Sequence, residues 1–250
     1  MTTPGRITFL KADFFNRDPR RVARALLGKL LIRKTPRGIL AGRIVETEAY
    51  LGQGDAAAHA AAGRTPRNAV LFGPPGHAYV YFIYGTHYCL NVSCLPDGIP
   101  GCVLFRALEP VEGIELMAKA RGIDLERHQV EGSCGDGRLA RPAERSSANV
   151  GGNSNSGFAP VKQSTLKKIS SGPGRLTEAL GVTRQRDNGK SLVSPRSDLH
   201  IADDGHRVRR VTVTPRIGIA KSADQPLRYF IAGNPFVSGR LPAAQKPLPI

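Results

Sequence analysis

Tryptophan is absent from this 250-residue chain. No apolar run approaches the ~20 residues that a membrane helix needs. The opening residues, Met1-Thr2-Thr3-Pro4-Gly5-Arg6, hold no apolar core of the kind that starts a secretory leader. A protein of the cytoplasm (nucleoid-associated) or the nucleus is expected, neither secreted nor membrane-bound. Four cysteines, Cys89, Cys94, Cys102 and Cys134, form no Cys-x-x-Cys pair and have no histidine at zinc-finger spacing. Reduced core thiols follow, with no disulfide framework, no metal site and no cofactor. Acidic residues are also scarce, 20 against 36 Lys plus Arg, for a net charge of +16. Such an excess attracts polyanions and releases counterions from phosphates, which makes nucleic acid the leading partner. An acidic membrane surface ranks second, because no amphipathic basic helix stands out. Solubility alone explains the charge less well, since either sign would serve it.

What is present begins with Arg43-Ile44-Val45-Glu46-Thr47-Glu48-Ala49-Tyr50. Residues 43–45 read as a strand, and strand side chains alternate between faces. If the strand continues, Glu46, Glu48 and Tyr50 share one face, while Val45, Thr47 and Ala49 point the other way. Carboxylates on a packed strand are costly unless paired or used. A solvated Glu beside a salt-bridged one is the bland alternative.

Around this stretch, Asp18-Pro19 opens a short helix with Val22, Ala25 and Leu26 inward and Gly28 as its stop. Phe9, Phe14 and Phe15 are expected to anchor the segment before it. Leu30–Ile32 and Ile39–Val45 read as strands joined by a turn at residues 35–38. The stretch from Leu51 to Asn68 is a loop carrying His59. Its Arg64 and Arg67 suit a phosphate or an ordinary polar loop equally. Residues 77–84 form the clearest strand, with three tyrosines. Gly85-Thr86 turns it into a return strand from Tyr88 to Cys94. That places Tyr84 at a hairpin tip, where a bulky ring is rarely buried. Cys102–Ala107 is a strand, and a helix is expected from Pro110 to about Ala120 with Val111, Ile114, Met117 and Ala118 inward. Residues 122–170 break the pattern: ten of the twelve residues 146–157 are Ser, Asn or Gly, too polar to fold. They read as a flexible insertion within one domain spanning residues 1–250. Residues 172–181 form a last short helix with Leu176, Ala179 and Leu180 inward. Strands follow at residues 208–214, 217–220 and 227–231. The fold class expected is α+β: a single β-rich domain with a curved, mostly antiparallel sheet and short packed helices.

Several of these runs together resemble a known family. Gly42–Tyr50, Ala58-His59, Thr65-Pro66-Arg67-Asn68, Tyr79–Gly85, Asn91-Val92-Ser93, Val103–Pro110, Gly172–Leu176 and Pro226–Phe230 are similar, in this order, to the signatures of the alkyladenine (3-methyladenine) DNA glycosylases. The likeness runs from about Ala12 to Ser238, and collinear motifs are far more specific than a lone pattern. It departs in a loop between His59 and Thr65 that is one residue shorter than in some relatives, and in the longer segment 122–170. The resemblance implies that Glu48 activates a water for attack on the sugar C1′, with Arg106 and the main-chain carbonyl of Ile217 helping to hold that water. It implies that Tyr50, His59 and Tyr81 sandwich an extruded base, that His59 hydrogen-bonds to it, and that Asn91 crowds the exocyclic amine of normal guanine. Tyr84 would enter the minor groove and fill the gap left by the flipped nucleotide. Arg64, Thr65, Thr86 and His87 would lie near the DNA backbone. The implied partner is double-stranded DNA carrying a damaged purine, and a monomer is expected.

The chemistry also stands on its own residues. An enzyme that acts on a base inside a duplex needs a wedge, a stacking pocket and a phosphate-binding surface. One carboxylate suffices for an alkylated purine, which leaves already carrying positive charge. Residues 44–118 contain no lysine, so no amine nucleophile lies near Glu48 or Tyr81, and a hydrolase that leaves an abasic site without nicking the strand is expected. Two other readings compete. Glu46 and Glu48 could form the acid/base pair of a carbohydrate glycosidase, against which the charge and the missing tryptophan stand. Alternatively the chain is a non-catalytic nucleic-acid-binding module with a structural Glu48.

Overall fold

The computed structural model describes residues 7–83, 85–125 and 161–239, with the backbone of residues 248–249. Its strands are β1 (Thr8–Phe9), β2 (Leu30–Thr35), β3 (Gly38–Tyr50), β4 (Ala78–Ile83), β5 (His87–Ser93), β6 (Cys102–Glu112), β7 (Leu199–Asp203), β8 (Arg210–Thr214), β9 (Arg228–Ile231) and β10 (Leu248–Pro249). The helices are α1 (Ala12–Phe15), α2 (Pro19–Leu26), α3 (Ile114–Ala120), α4 (Gln163–Ser170), α5 (Pro173–Ala179) and α6 (Arg184–Asp187).

The thirteen-residue β3 is the hub. Along one edge it pairs with β2, from Arg43↔Leu30 to Gly38↔Thr35. Where β2 leaves, β9 takes over that edge, from Glu46↔Phe230 to Glu48↔Arg228. Strand β6 covers the other edge, from Tyr50↔Cys102 to Ala41↔Glu112. The sheet runs β1-β7-β2-β3-β6-β5-β4, with β9, β8 and β10 branching from β3, and every pairing is antiparallel. The result is a curled half-barrel in a single α+β domain. Bulges, which re-aim side chains and bend strands, interrupt the β3–β6 ladder between Ile44 and Glu46 and again between Glu46 and Thr47.

The alternation expected of this strand holds where it matters. Thr47 and Ala49 turn under the sheet, where the Thr47 hydroxyl donates to the Ala23 carbonyl of α2 (2.9 Å) and Ala49 joins the core. Helix α2 starts as its sequence dictates: the Asp18 carboxylate accepts from the Arg20 amide (2.8 Å), and Pro19 occupies the first turn. It buries Val22, Ala23 and Leu26, so Ala23 takes the inward place expected of Ala25. Gly28 follows at φ +85°, and a Cβ there would meet a Val208 methyl at 2.7 Å, so any other residue would be strained and would displace Val208. On the other side of the core, α5 buries Leu176, Ala179 and Leu180. Among the described residues no helix is long and apolar enough to cross a membrane.

Several expectations are corrected. Strand β6 continues through Pro110 to Glu112, leaving Val111 44% exposed. The helix begins only at Ile114, after Gly113, whose φ of +70° lets the chain pass Ile39 where a Cβ would lie 2.4 Å from its carbonyl. Residues 217–220 form a loop, because Pro215 cannot donate to a ladder and Gly218 turns the chain at φ +76°. Strand β8 begins at Arg210, not at residue 208. Val45 leaves the face of Thr47 and packs with Ala107 and Phe236, at the bulge. Phe15 is buried, but Phe9 is 38% exposed and anchors little. Within the span 122–170, α4 is an ordered helix whose Ile169 is fully buried and whose Ser170 hydroxyl donates to the Leu108 carbonyl. Residues 126–160, including Cys134, lie outside the described residues.

Candidate active site

Both carboxylates of the central strand are fully buried, and their surroundings differ. Glu46 is saturated. Its Oε1 accepts from Arg106 Nε (2.9 Å) and Arg228 Nε (2.7 Å), and its Oε2 from the Ser238 amide (2.6 Å). Charge-assisted bonds of this kind are about twice as strong as neutral ones. Glu48 has a mixed set: the Ile217 amide (2.8 Å) and Arg106 Nη1 (3.1 Å) on Oε1, and the Tyr50 hydroxyl (3.1 Å) on Oε2. One guanidinium therefore bridges the pair, Nε to Glu46 and Nη1 to Glu48. Burial raises the Glu48 pKa above the ordinary carboxylate value, opposed by the Arg106 charge, the Ile217 amide and the Tyr50 hydroxyl. A carboxylate so placed is a stronger proton acceptor than one in water.

The backbone that delivers the Ile217 amide is set by Arg216. Its guanidinium grips Asp55 with two nitrogens (Nη2–Oδ1 2.8 Å), donates to the Ala49 carbonyl (3.1 Å) and lies 4.6 Å from the centre of the Tyr50 ring. Asp55 also accepts from the amides of Leu51 and Ala57, which folds the loop after β3 back on itself. Removing either partner of this fully buried pair would leave a bare charge.

Beyond Glu48 lies a cavity of about 230 Å³, walled by Tyr50, His59, Tyr81 and Asn91 together with Arg67 and Cys102. The His59 ring meets Tyr81 edge-on at 4.5 Å, and its Nδ1 shares a 2.8 Å hydrogen bond with the Tyr79 hydroxyl. Burial, with the Arg67 charge nearby, pushes the His59 pKa below its ordinary value, which leaves it neutral at pH 7. Burial pushes the Tyr50 and Tyr81 hydroxyls upward, so both stay protonated. Asn91 is held at both ends: its amide donates to the Tyr79 carbonyl (3.2 Å) and its oxygen faces the Cys102 thiol (3.8 Å). The loop bearing His59 is pinned by Asn68, which donates to the carbonyls of His59 (2.8 Å) and Gly63 (3.0 Å) and accepts from the Thr65 amide (2.7 Å).

The structure thus gathers Glu48, Tyr50, His59, Tyr81, Asn91, Arg106 and Ile217 into one region. Ile217 engages Glu48 through its amide, whereas the resemblance pointed to its carbonyl. Arg64, Thr65 and Thr86 are exposed and stand outside the cavity. His87 lines a separate groove with Arg106 and Arg175, its Nδ1 bonded to Glu178 (2.9 Å). Tyr84 lies outside the described residues. Sequence reading missed Asp55, Asn68, Arg67, Arg216, Arg228 and Ser238. Arg67 belonged to a quoted motif and could have been found. Asn68 and Arg228 also lie in quoted runs, and the partners of Asn68 are all within nine residues, whereas the partners that give Asp55, Arg216, Arg228 and Ser238 their roles lie 161 to 192 residues away, which no local pattern signals.

The methylpurine-DNA glycosylase family model matches residues 13–235. A Koribacter versatilis protein named "Putative 3-methyladenine DNA glycosylase" is 58% identical over 92% of this chain and 93% of its own length. Proteins of the same name from Burkholderia cenocepacia (40% identical, covering 94% of this chain and 93% of their own length) and Methanocella arvoryzae (38%, covering 93% and 97%) are also similar.

Proposed function

The chain belongs to the methylpurine-DNA glycosylase family, and from that premise we propose how it hydrolyses an N-glycosyl bond in DNA. An alkylated or deaminated purine swings out of the duplex into the cavity between Tyr50, His59 and Tyr81. Glu48 takes a proton from a water held with the help of Arg106 and the Ile217 main chain. That water attacks C1′ as the C1′–N bond breaks; an alkylated purine leaves neutral because it carried the positive charge, a deaminated purine takes up a proton from His59 or a water as it leaves, and an abasic site remains. The observation that carries this reading is adjacency: a buried carboxylate of raised basicity shares a hydrogen bond with a wall of the aromatic cavity.

The energies are compatible. Extruding a base costs a few kcal/mol, least for a damaged one. Stacking the base on Tyr50 and Tyr81 returns about 1–3 kcal/mol. An alkylated purine is cationic, so electron-rich ring faces in a dry pocket add about 2 kcal/mol, and a neutral His59 does not repel it. Asn91, clamped by Tyr79 and Cys102, cannot swing aside for the exocyclic amine of guanine. An ionised Glu48 also stabilises the oxocarbenium-like sugar as the bond breaks.

The test is a set of duplexes, each with one modified purine. Base release should leave an alkali-labile abasic site with the strand intact. Strand cleavage under mild conditions would overturn the hydrolytic reading, since it requires an amine nucleophile and no lysine lines the cavity among the described residues. The wedge role is assigned to Tyr84, the residue that follows Ile83, the last of β4, in the sequence. Tyr84→Ser should weaken binding to lesion duplex at least tenfold, by loss of the ring that replaces the flipped base. Unaltered binding would remove that role. Exposed Arg64, Thr65, Thr86 and His87 are assigned to the DNA backbone, His87 through Nε2 because Glu178 holds its Nδ1 (2.9 Å).

A further inference from the structure

One stretch of surface concentrates charge that the fold does not use. The two acids that close β7 and its loop are already taken: Asp203 pairs with Lys29 (2.6 Å) and Asp204 with Arg43 (2.8 Å). The residues just after them, Arg207, Arg209 and Arg210, are exposed and have no carboxylate partner among the described residues. Residues 206–210 and 231–233 line a cleft of about 580 Å³. Its lining is mainly cationic and small apolar, with His206 its one aromatic ring, which suits a phosphate backbone more than a run of stacked bases.

The sheet register places this cleft relative to the active site. Thr214, Arg228 and Glu48 are directly opposed across β8, β9 and β3, as are Thr212, Phe230 and Glu46. Opposed residues, and residues two apart on a strand, share a face. Arg210 stands two residues before Thr212, and its carbonyl accepts from the Ala232 amide (3.1 Å), which continues the ladder. Arg210 therefore lies on the face that carries the two carboxylates. Four residues along the strand and two strands across put it roughly 17 Å from Glu48. Along B-DNA, at 3.4 Å per step, that is about five base pairs.

We propose that Arg207, Arg209 and Arg210 form a second DNA-binding surface, which grips the phosphates of the duplex arm about five base pairs to one side of the flipped nucleotide. The proposal rests on the glycosylase reading for its partner. It assigns these residues to affinity and to searching along DNA, and leaves the chemistry to the base cavity. Three phosphate contacts account for roughly 2.7 in the slope of log K against log salt.

The test compares the wild type with R207S/R209S/R210S and with R207K/R209K/R210K. Undamaged duplex and lesion duplexes whose arms are lengthened on one side at a time serve as probes. The serine triple should bind undamaged duplex on the order of tenfold or more weakly at low salt, with a salt slope lower by about two to three. It should also lose the affinity the wild type gains when one arm passes about five base pairs. Single-turnover base release at saturating enzyme should be unchanged. The lysine triple should bind like the wild type, since a phosphate contact of this kind needs charge more than shape. An unchanged slope, a lysine triple as weak as the serine triple, or equal loss on both arms would overturn the proposal. So would a loss confined to acidic lipid vesicles. Binding to undamaged duplex reads the surface whether or not base is released, so its failure is separable from failure of the glycosylase reading.

Discussion

Glu48→Gln should abolish most base release while leaving lesion recognition intact. Glutamine keeps the shape of the side chain and can still accept from the Ile217 amide and Arg106, but it cannot take a proton from water. General-base catalysis contributes on the order of 10²–10⁴-fold, so single-turnover release from a methylated duplex should fall by about that factor, with binding to the same duplex within a few-fold of the wild type. Unchanged release would make Glu48 structural and return the chain to the reading of a binding module. The pH dependence gives a second readout. Burial raises the Glu48 pKa, so the active carboxylate form should be lost as pH falls through a value above the ordinary carboxylate range. The acid limb of the wild-type profile should lie there, and the residual activity of Glu48→Gln should lack it.

The same shift has a consequence for stability, with a definite sign. A carboxyl whose folded-state pKa exceeds its unfolded value is better accommodated protonated. Its ionised form therefore weakens the fold as pH rises through that raised pKa. Glu48→Gln should then melt at or above the wild type at pH 7. A residue that costs stability where it is most useful is the usual mark of a functional site. A clear loss of melting temperature would mean that Arg106 and the Ile217 amide depend on the charge more than its burial opposes it.

Much of this was legible in the chain. The Glu46/Glu48/Tyr50 face followed from strand alternation alone, and α2 from Asp18-Pro19 and Gly28. The same period of two puts Tyr79 and Tyr81 on one face of the strand read at 77–84, and both line the cavity. Legibility ended where the cause was tertiary. The helix expected at Pro110 failed because proline is as acceptable near the end of a strand as in the first turn of a helix, and only the approach of Gly113 to Ile39 decides between them. The strand expected at 217–220 failed because Pro215 and Gly218 break any ladder there, and Arg216, anchored on Asp55, turns the Ile217 amide onto Glu48 instead. The division of labour between the two glutamates was invisible as well. It depends on Arg228 and Ser238, which join Glu46 from the far end of the sequence.

Glu46 should behave as the opposite of Glu48. Two nearly buried arginines, Arg106 and Arg228, converge on its Oε1. Replacing it by glutamine removes the carboxylate that Arg228 pairs with, whereas in Glu48→Gln both Arg106 and Arg228 keep Glu46. Arg228 would keep the Ser238 carbonyl (2.9 Å), the Thr214 hydroxyl (3.3 Å) and the face of the Phe230 ring (4.7 Å), none of which carries a charge. Breaking a buried pair from one side costs about 3–5 kcal/mol, or roughly 10 °C in melting temperature for a domain of this size. Because the Glu46 charge contributes to the raised Glu48 pKa, its loss should also move the acid limb of the rate profile to lower pH. Arg106, released from Glu46, would then serve Glu48 alone and make it a weaker base. A carbohydrate-type acid/base pair predicts the reverse pattern, in which Glu46→Gln removes activity without disturbing the melt. A melting temperature within about 2 °C of the wild type, together with lost activity, would restore that rival.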